Sequence, residues 1–197
     1  MEEGPGDADA MLLQAYLGGD AAAFERLYDR HGRACHDFIR RMLAHADEAT
    51  IEDLHQEVWV AVARAAARFD AAKARFTTWA FTIARNKVMD HHRRQPGVVH
   101  LVDDAGLAEV AADPEQSQGW SPERIVENRQ LAAAILAEVQ ALPYAQRETF
   151  VLFAHHELSL DEVAQVTGVG VETAKSRLRY ARNLLRQRLA AWSHRHG

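Results

Sequence analysis

The sequence predicts an all-α protein of two helical domains joined by a flexible linker. Three observations predict it: long alanine- and leucine-rich stretches, apolar residues at three-and-four spacing, and a central segment dense in helix breakers. No strand-like alternation of useful length and no internal repeat occurs. The domains are expected at 8–95 and 124–193, with the linker at 96–123.

The N-terminal stretch has no proline between Pro5 and Pro96. Asp20 is placed to cap a helix from Ala21 to about His31, whose buried face carries Phe24, Leu27 and Tyr28. Gly32 offers a break, after which Cys35, Phe38, Ile39 and Met42 continue the pattern. Thr50 is expected to open a further helix, with Asp53 three residues on in a capping-box-like position. Its apolar face would be Ile51, Leu54, Val58, Ala61, Val62 and Ala65. Thr77 or Thr78 would cap the last helix, with Trp79, Ala80, Ile83, Ala84 and Val88 facing inward.

Between 95 and 123, Pro96, Gly97, Pro114, Ser117, Gly119, Ser121 and Pro122 interrupt any long helix. Val98–Val102 is a short apolar candidate anchor. Helical spacing then returns. Leu131, Ile135, Leu136 and Val139 share one face, Leu142-Pro143 separates this helix from the next, and Phe150, Leu152 and Phe153 follow.

The segment from Leu158 to Leu178 has the pattern of a helix-turn-helix. Ser159 and Glu162 form a capping box, and Val163 and Ala164 supply a small inner face. Gly168 stands where the chain must turn sharply. Val171, Ala174 and Leu178 would face the first helix. Glu172, Thr173, Lys175, Ser176, Arg179 and Tyr180 would then point outward where such a helix enters the major groove.

The net charge of −5 is unevenly distributed. Lys73, Arg75, Arg85, Lys87, Arg93 and Arg94 form one basic stretch; Lys175, Arg177, Arg179, Arg182, Arg186 and Arg188 form another. Phosphate contact is short-range and salt-screened, so a local basic face outweighs the mean. From Arg75 to Arg94, aromatics alternate with hydroxyls and basic residues, a composition suited to holding unpaired bases. Asp53, Gln56 and Glu57 form one polar ridge, with His55 on another azimuth.

Other classes fit poorly. No run approaches the ~20 apolar residues that span a bilayer. The acidic start, Met1 to Asp9, has no secretory pattern. Cys35 is the single cysteine, which fits a reducing cytoplasm. Glu52 and His55 match a Glu-x-x-His iron pair, but no second pair completes such a site. His31 and Cys35 have zinc-like spacing without a CxxC partner. No metal, cofactor or catalytic residue is expected, and the chain is not read as an enzyme.

Taken in order, these segments resemble the extracytoplasmic-function (ECF) sigma factors of the sigma-70 family. Asp20 to His31 is similar to the opening of the family's sigma-2 domain, and Asp53 to Trp59 to its polymerase-binding helix. Phe76 to Asn86, with Asp90, Arg93 and Arg94, is similar to its promoter-melting segment. Leu142-Pro143 and Lys175 to Leu178, with Ala181-Arg182, are similar to its sigma-4 domain.

The resemblance implies roles. Asp53, Gln56 and Glu57 would dock on the clamp helices of the largest subunit of core RNA polymerase. Lys73, Arg75, Phe76, Thr78, Trp79, Asn86, Asp90 and Arg93 would serve the −10 element. Glu172, Thr173, Lys175, Ser176, Arg177, Arg179, Tyr180 and Arg182 would serve the −35 element. The sigma-4 domain would also seat the flap of the second-largest subunit. An anti-sigma factor is a further candidate partner. Glu172, Ala174 and Tyr180 depart from residues common in the family, which bears on the −35 sequence read. The rival reading is a stand-alone helix-turn-helix regulator, which leaves the Asp53–Glu57 ridge and the Phe76–Arg94 segment without a task.

Overall fold

In the computed structural model, residues 5–43, 46–94 and 125–196 are described, and among them the protein is all-α. Helices α1 (Pro5–Leu17), α2 (Ala21–Met42), α3 (Glu48–Ala65) and α4 (Phe76–Arg94) form an N-terminal group. A 3₁₀ turn, Ala66–Arg68, follows α3. Helices α5 (Ile125–Gln140), α6 (Tyr144–His155), α7 (Leu160–Thr167) and α8 (Val171–His196) form a C-terminal group. The expected linker, with its Val98–Val102 anchor, lies outside the described residues.

Caps begin the helices where short polar side chains can accept from free backbone N–H groups. Asp20 accepts from Ala23 N at 3.3 Å, as its sequence position predicts. At α3 the cap is Asp47, which accepts from Thr50 N at 2.8 Å. The expected start at Thr50 is therefore three residues late. A carboxylate accepts this bond without rearranging, and Thr50 becomes part of the first turn.

The expected break at Gly32 does not occur, and α2 runs on to Met42. Gly32 is buried and stays helical, packed beside the Tyr28 ring. A Cβ there would meet the Tyr28 ring at 3.5 Å. His55 Nε2 lies 3.0 Å from Gly32 O and 3.0 Å from Trp59 Nε1. One ring nitrogen cannot donate to the first and accept from the second at once, so its tautomer selects between them. Asp9 ties α1 to α2 through Arg30 and through His31 Nε2 at 2.8 Å.

The apolar core is continuous across both groups. Phe38, Ile39, Val58, Val62, Phe76 and Val88 are essentially buried on the N-terminal side; Val151, Leu152, Leu158 and Val163 are buried on the other. Helix α4 packs on α7, and α2 packs on α6. This sandwiching changes the inner face expected for α4. Phe76, Thr78, Phe81, Ala84, Val88 and His92 are buried, while Trp79, Ala80 and Ile83 are only partly covered. Thr78 does not cap the helix, because α4 already starts at Phe76. The face expected for α5 also differs: Val139 is buried but Ile135 and Leu136 are exposed. No described helix is long and apolar enough to cross a membrane.

Candidate nucleic-acid interface

Local sequence builds the turn between α7 and α8. Ser159 Oγ accepts from Glu162 N at 3.3 Å, and Glu162 Oε2 accepts from Ser159 N at 2.9 Å, completing the capping box. Gly168 ends α7 in the left-handed region at φ 71°. Val169 N then donates to Ala164 O at 3.1 Å. Helix α8 starts at Val171 with a clear division of faces. Ala174, Leu178, Ala181 and Leu185 are buried at four-three-four spacing. Lys175, Arg179 and Arg182 are exposed on another face, with Glu172. Val171, expected to face inward, is exposed.

The candidate base readers on α8 are not equivalent. Glu172 is 84% exposed and pairs with Lys175 at 3.0 Å. Arg182 lies over the Phe153 ring at 5.1 Å, a position that orders its guanidinium. Thr173, Ser176 and Tyr180 are half-buried at the edge of the exposed face. Arg177 is half-buried, and its charge acts on the carboxylate of Glu148.

On α3, Asp53, Gln56 and Glu57 are exposed, while Leu54, His55 and Val58 beside them are buried. The ridge lines an open groove with Val60, Arg64 and Lys87. Glu57 meets Lys87 Nζ at 3.0 Å, which links the ridge to α4.

The −10 candidates divide into supports and exposed groups. Phe76 is fully buried against Phe69 and Trp79, so its ring holds the preceding loop in this arrangement. Trp79 is half-buried. Lys73 pairs with Asp70 at 3.0 Å, and Arg93 with Asp90 at 3.0 Å. Asn86 is exposed. Arg75 and Thr78 both bond Glu162 of α7: Arg75 Nη2 donates to Oε2 at 2.6 Å, and Thr78 Oγ1 donates to Oε1 at 2.9 Å. Burial pushes the Glu162 carboxyl up, but bonds from Arg75, Ser159 and Thr78 outweigh this and hold it down to about 2.

Sequence reasoning missed a second polar cluster between the groups. Glu148 is 1% exposed, and Arg85 Nε donates to it at 2.9 Å. The Tyr144 hydroxyl lies 3.5 Å from the same oxygen. Burial raises the Glu148 carboxyl above the usual range despite the opposing Arg85 and Arg177 charges. The available signal was Glu148 itself, an acid three and four residues before Val151 and Leu152 on the inner face of α6.

Among the described residues, two groups carry side chains of a type that could ligate a metal, the His36–Glu48–Glu52 cluster and Cys35. His36 Nε2 lies 3.3 Å from Glu52 and 3.7 Å from Glu48, but Glu48 is bonded by Arg40. Cys35 is buried, which raises its thiol to about 12 and disfavours the thiolate a metal needs.

A basic helix-turn-helix joined to a second helical unit with its own basic helix defines a DNA-binding protein of the transcription machinery. The Sigma-70 region 2 family matches residues 27–96, and the Sigma-70, region 4 family matches residues 132–185. The chain is 31% identical to the ECF RNA polymerase sigma factor SigW of Bacillus subtilis over 87% of this chain and 91% of the relative. It is 34% identical to the ECF RNA polymerase sigma factor RpoE of Cereibacter sphaeroides, over 87% and 88% respectively. The solved structure of CnrH in complex with the cytosolic domain of CnrY is similar at TM-score 0.67 and 26% identity, covering 94% of this chain and 99% of that one. The chain belongs to the ECF sigma factors of the sigma-70 family, the subunits that give RNA polymerase its promoter specificity.

Proposed function

We propose that this chain docks on core RNA polymerase through Asp53, Gln56 and Glu57 and places two DNA-reading surfaces on one promoter. Lys73, Arg75, Thr78, Trp79, Asn86, Asp90 and Arg93 hold the −10 strand, with Phe76 supporting them. Glu172, Thr173, Lys175, Ser176, Arg179, Tyr180 and Arg182 face the −35 duplex, and Arg177 supports that helix from its inner side. Residues 8–95 and 124–193 are the two working units, and 96–123 is the tether. The site is cytoplasmic, the chain needs no cofactor, and the polymerase performs the chemistry. An anti-sigma factor is proposed as a regulatory partner.

The observation that carries this reading is the exposed cationic face of α8 in the same chain as the exposed acidic ridge of α3. Tethering raises the effective concentration of the second DNA contact once the first is made. Base contacts then offset unstacking, which costs roughly a few kcal/mol per flipped base.

Substituting Asp53→Ala together with Glu57→Ala removes two exposed charges and leaves the buried α3 face alone. Titration against core polymerase by fluorescence anisotropy should show affinity about tenfold weaker, the equivalent of about 1.4 kcal/mol. Unchanged affinity would remove the docking assignment.

A further inference from the structure

Glu172 is the single acid in the α8 sequence, Val171 to His196, and it stands in the first turn of the helix, at the end that enters the major groove. Its side chain is 84% exposed. It shares one stripe with Lys175, Arg179 and Arg182, all exposed, at steps of three, four and three residues. A carboxylate on that stripe is repelled by the phosphates that its neighbours attract, so its position suits base edges. Glu172 Oε1 and Lys175 Nζ are 3.0 Å apart. That spacing matches the two groups at the centre of a G·C pair. Guanine O6 and cytosine N4, joined by a hydrogen bond of about 2.9 Å, present an acceptor and a donor side by side in the major groove. The ammonium can donate to O6 while the carboxylate accepts from N4, which closes a ring of four polar groups with every donor matched.

We infer that the Glu172–Lys175 ion pair reads one G·C base pair of the −35 duplex as a unit, with Lys175 over guanine and Glu172 over cytosine, and so sets the polarity of that base pair. This rests on the −35 assignment above and names what that surface recognises. Of the four base pairs, G·C and T·A offer acceptor then donor in this order at the centre of the groove. T·A sets its methyl beside Lys175 and adenine N7, a further acceptor, beside Glu172. G·C instead gives Lys175 a second acceptor, guanine N7, and sets no lone pair against Glu172. C·G and A·T oppose each charge with the wrong central group. Arg179, and Arg182 ordered over the Phe153 ring at 5.1 Å, are left to the phosphates, which hold the helix in register without reading sequence. The ion pair is already formed in the free chain, so less side-chain freedom is lost on binding.

The experiment uses holoenzyme rebuilt from core polymerase and the full chain. Its probe is a pool of duplexes that carry one promoter mapped by transcription, randomised across the −35 element. Bound duplexes are recovered and sequenced. With the unsubstituted chain, one position should favour G·C over C·G about tenfold, the discrimination of one good base contact. Glu172→Ala should cut that ratio to about threefold, because Lys175 alone still prefers guanine, and leave the other positions as they were. Exchanging the charges, Glu172→Lys with Lys175→Glu, should invert the preference to C·G at the same position. Unchanged preferences at the remaining positions show that α8 is still folded in each variant. If Glu172 only stabilised the helix, its loss would weaken all duplexes in proportion and shift no preference, which overturns the inference. A charge exchange that inverts nothing overturns it too. Absence of preference at every position with the unsubstituted chain would instead remove the −35 assignment itself, and the inference with it.

Discussion

At the scale of single residues, the inner surface between the two helical groups carries the titratable side chains Glu148, His156 and Glu162. His156 sits against the Phe81 ring at 4.6 Å and the Phe38 ring at 6.1 Å. Burial, with the nearby charges of His155 and Arg41, lowers its pKa from 6.5 to about 4, against a smaller opposing effect of Asp37. His55, His92 and His155 are also lowered, chiefly by burial. A histidine whose folded pKa lies below its unfolded value contributes stability above pH 6.5 and loses it as pH falls toward the folded value. Glu148 acts in the opposite sense, because its folded pKa is raised and protonation favours the folded state. Comparing His156→Leu with the unsubstituted chain isolates the histidine. Thermal unfolding followed by circular dichroism should show the leucine variant gaining relative stability steadily from pH 6.5 to pH 4. A stability difference that does not change with pH would contradict the buried neutral imidazole.

Residues whose role is set by local chemistry are legible in the sequence, and residues whose role is set by distant packing are not. Asp20, Ser159 with Glu162, and Gly168 were legible because a cap or a turn depends on the next three or four residues. Gly32 misled, since its buried contact with Tyr28 and its closeness to His55 depend on packing rather than on its intrinsic helix propensity. Thr78 misled for the same reason: its hydroxyl is satisfied by a carboxylate 84 residues away.

At the scale of elements, the α7–α8 turn is the most closely specified piece of the site. Gly168 adopts φ 71° with nothing within 4 Å of an added Cβ. Gly170 also has open space around it but needs no positive φ. Gly168→Ala should therefore cost about 1–2 kcal/mol from left-handed backbone strain alone, and Gly170→Ala a few tenths or less. Urea unfolding of both variants checks this; equal costs would mean that conformation is not what selects glycine at 168. The α8 helix was legible from its spacing, because Ala174, Leu178, Ala181 and Leu185 return to one side every three or four residues. Helix α4 was less so. It is covered on two sides, by α2 and α3 on one and by α7 on the other, and a helix covered on two sides loses a single apolar stripe. Thus Phe81 is core and Trp79 is half-covered, an order the pattern did not reveal.

At the scale of the whole molecule, the fold class and the family were legible, and the docking of one helical group on the other was not. The contacts that make it, Arg75 with Glu162 and Arg85 with Glu148, join residues 87 and 63 positions apart and follow no periodic pattern. Their consequence is a molecule whose α3 ridge is exposed while Arg75 and Thr78 are engaged by Glu162 of α7.

The claim on which the account depends is that α3 and α8 work on one polymerase at one promoter. It is tested most directly by adding the purified chain to core polymerase and genomic DNA fragments and mapping the 5′ ends of the transcripts. Discrete start sites absent from core polymerase alone are expected, with output at those sites reduced about fivefold or more by Lys175→Ala, the loss of one good groove contact. Scattered 5′ ends identical to those of core polymerase alone would contradict it.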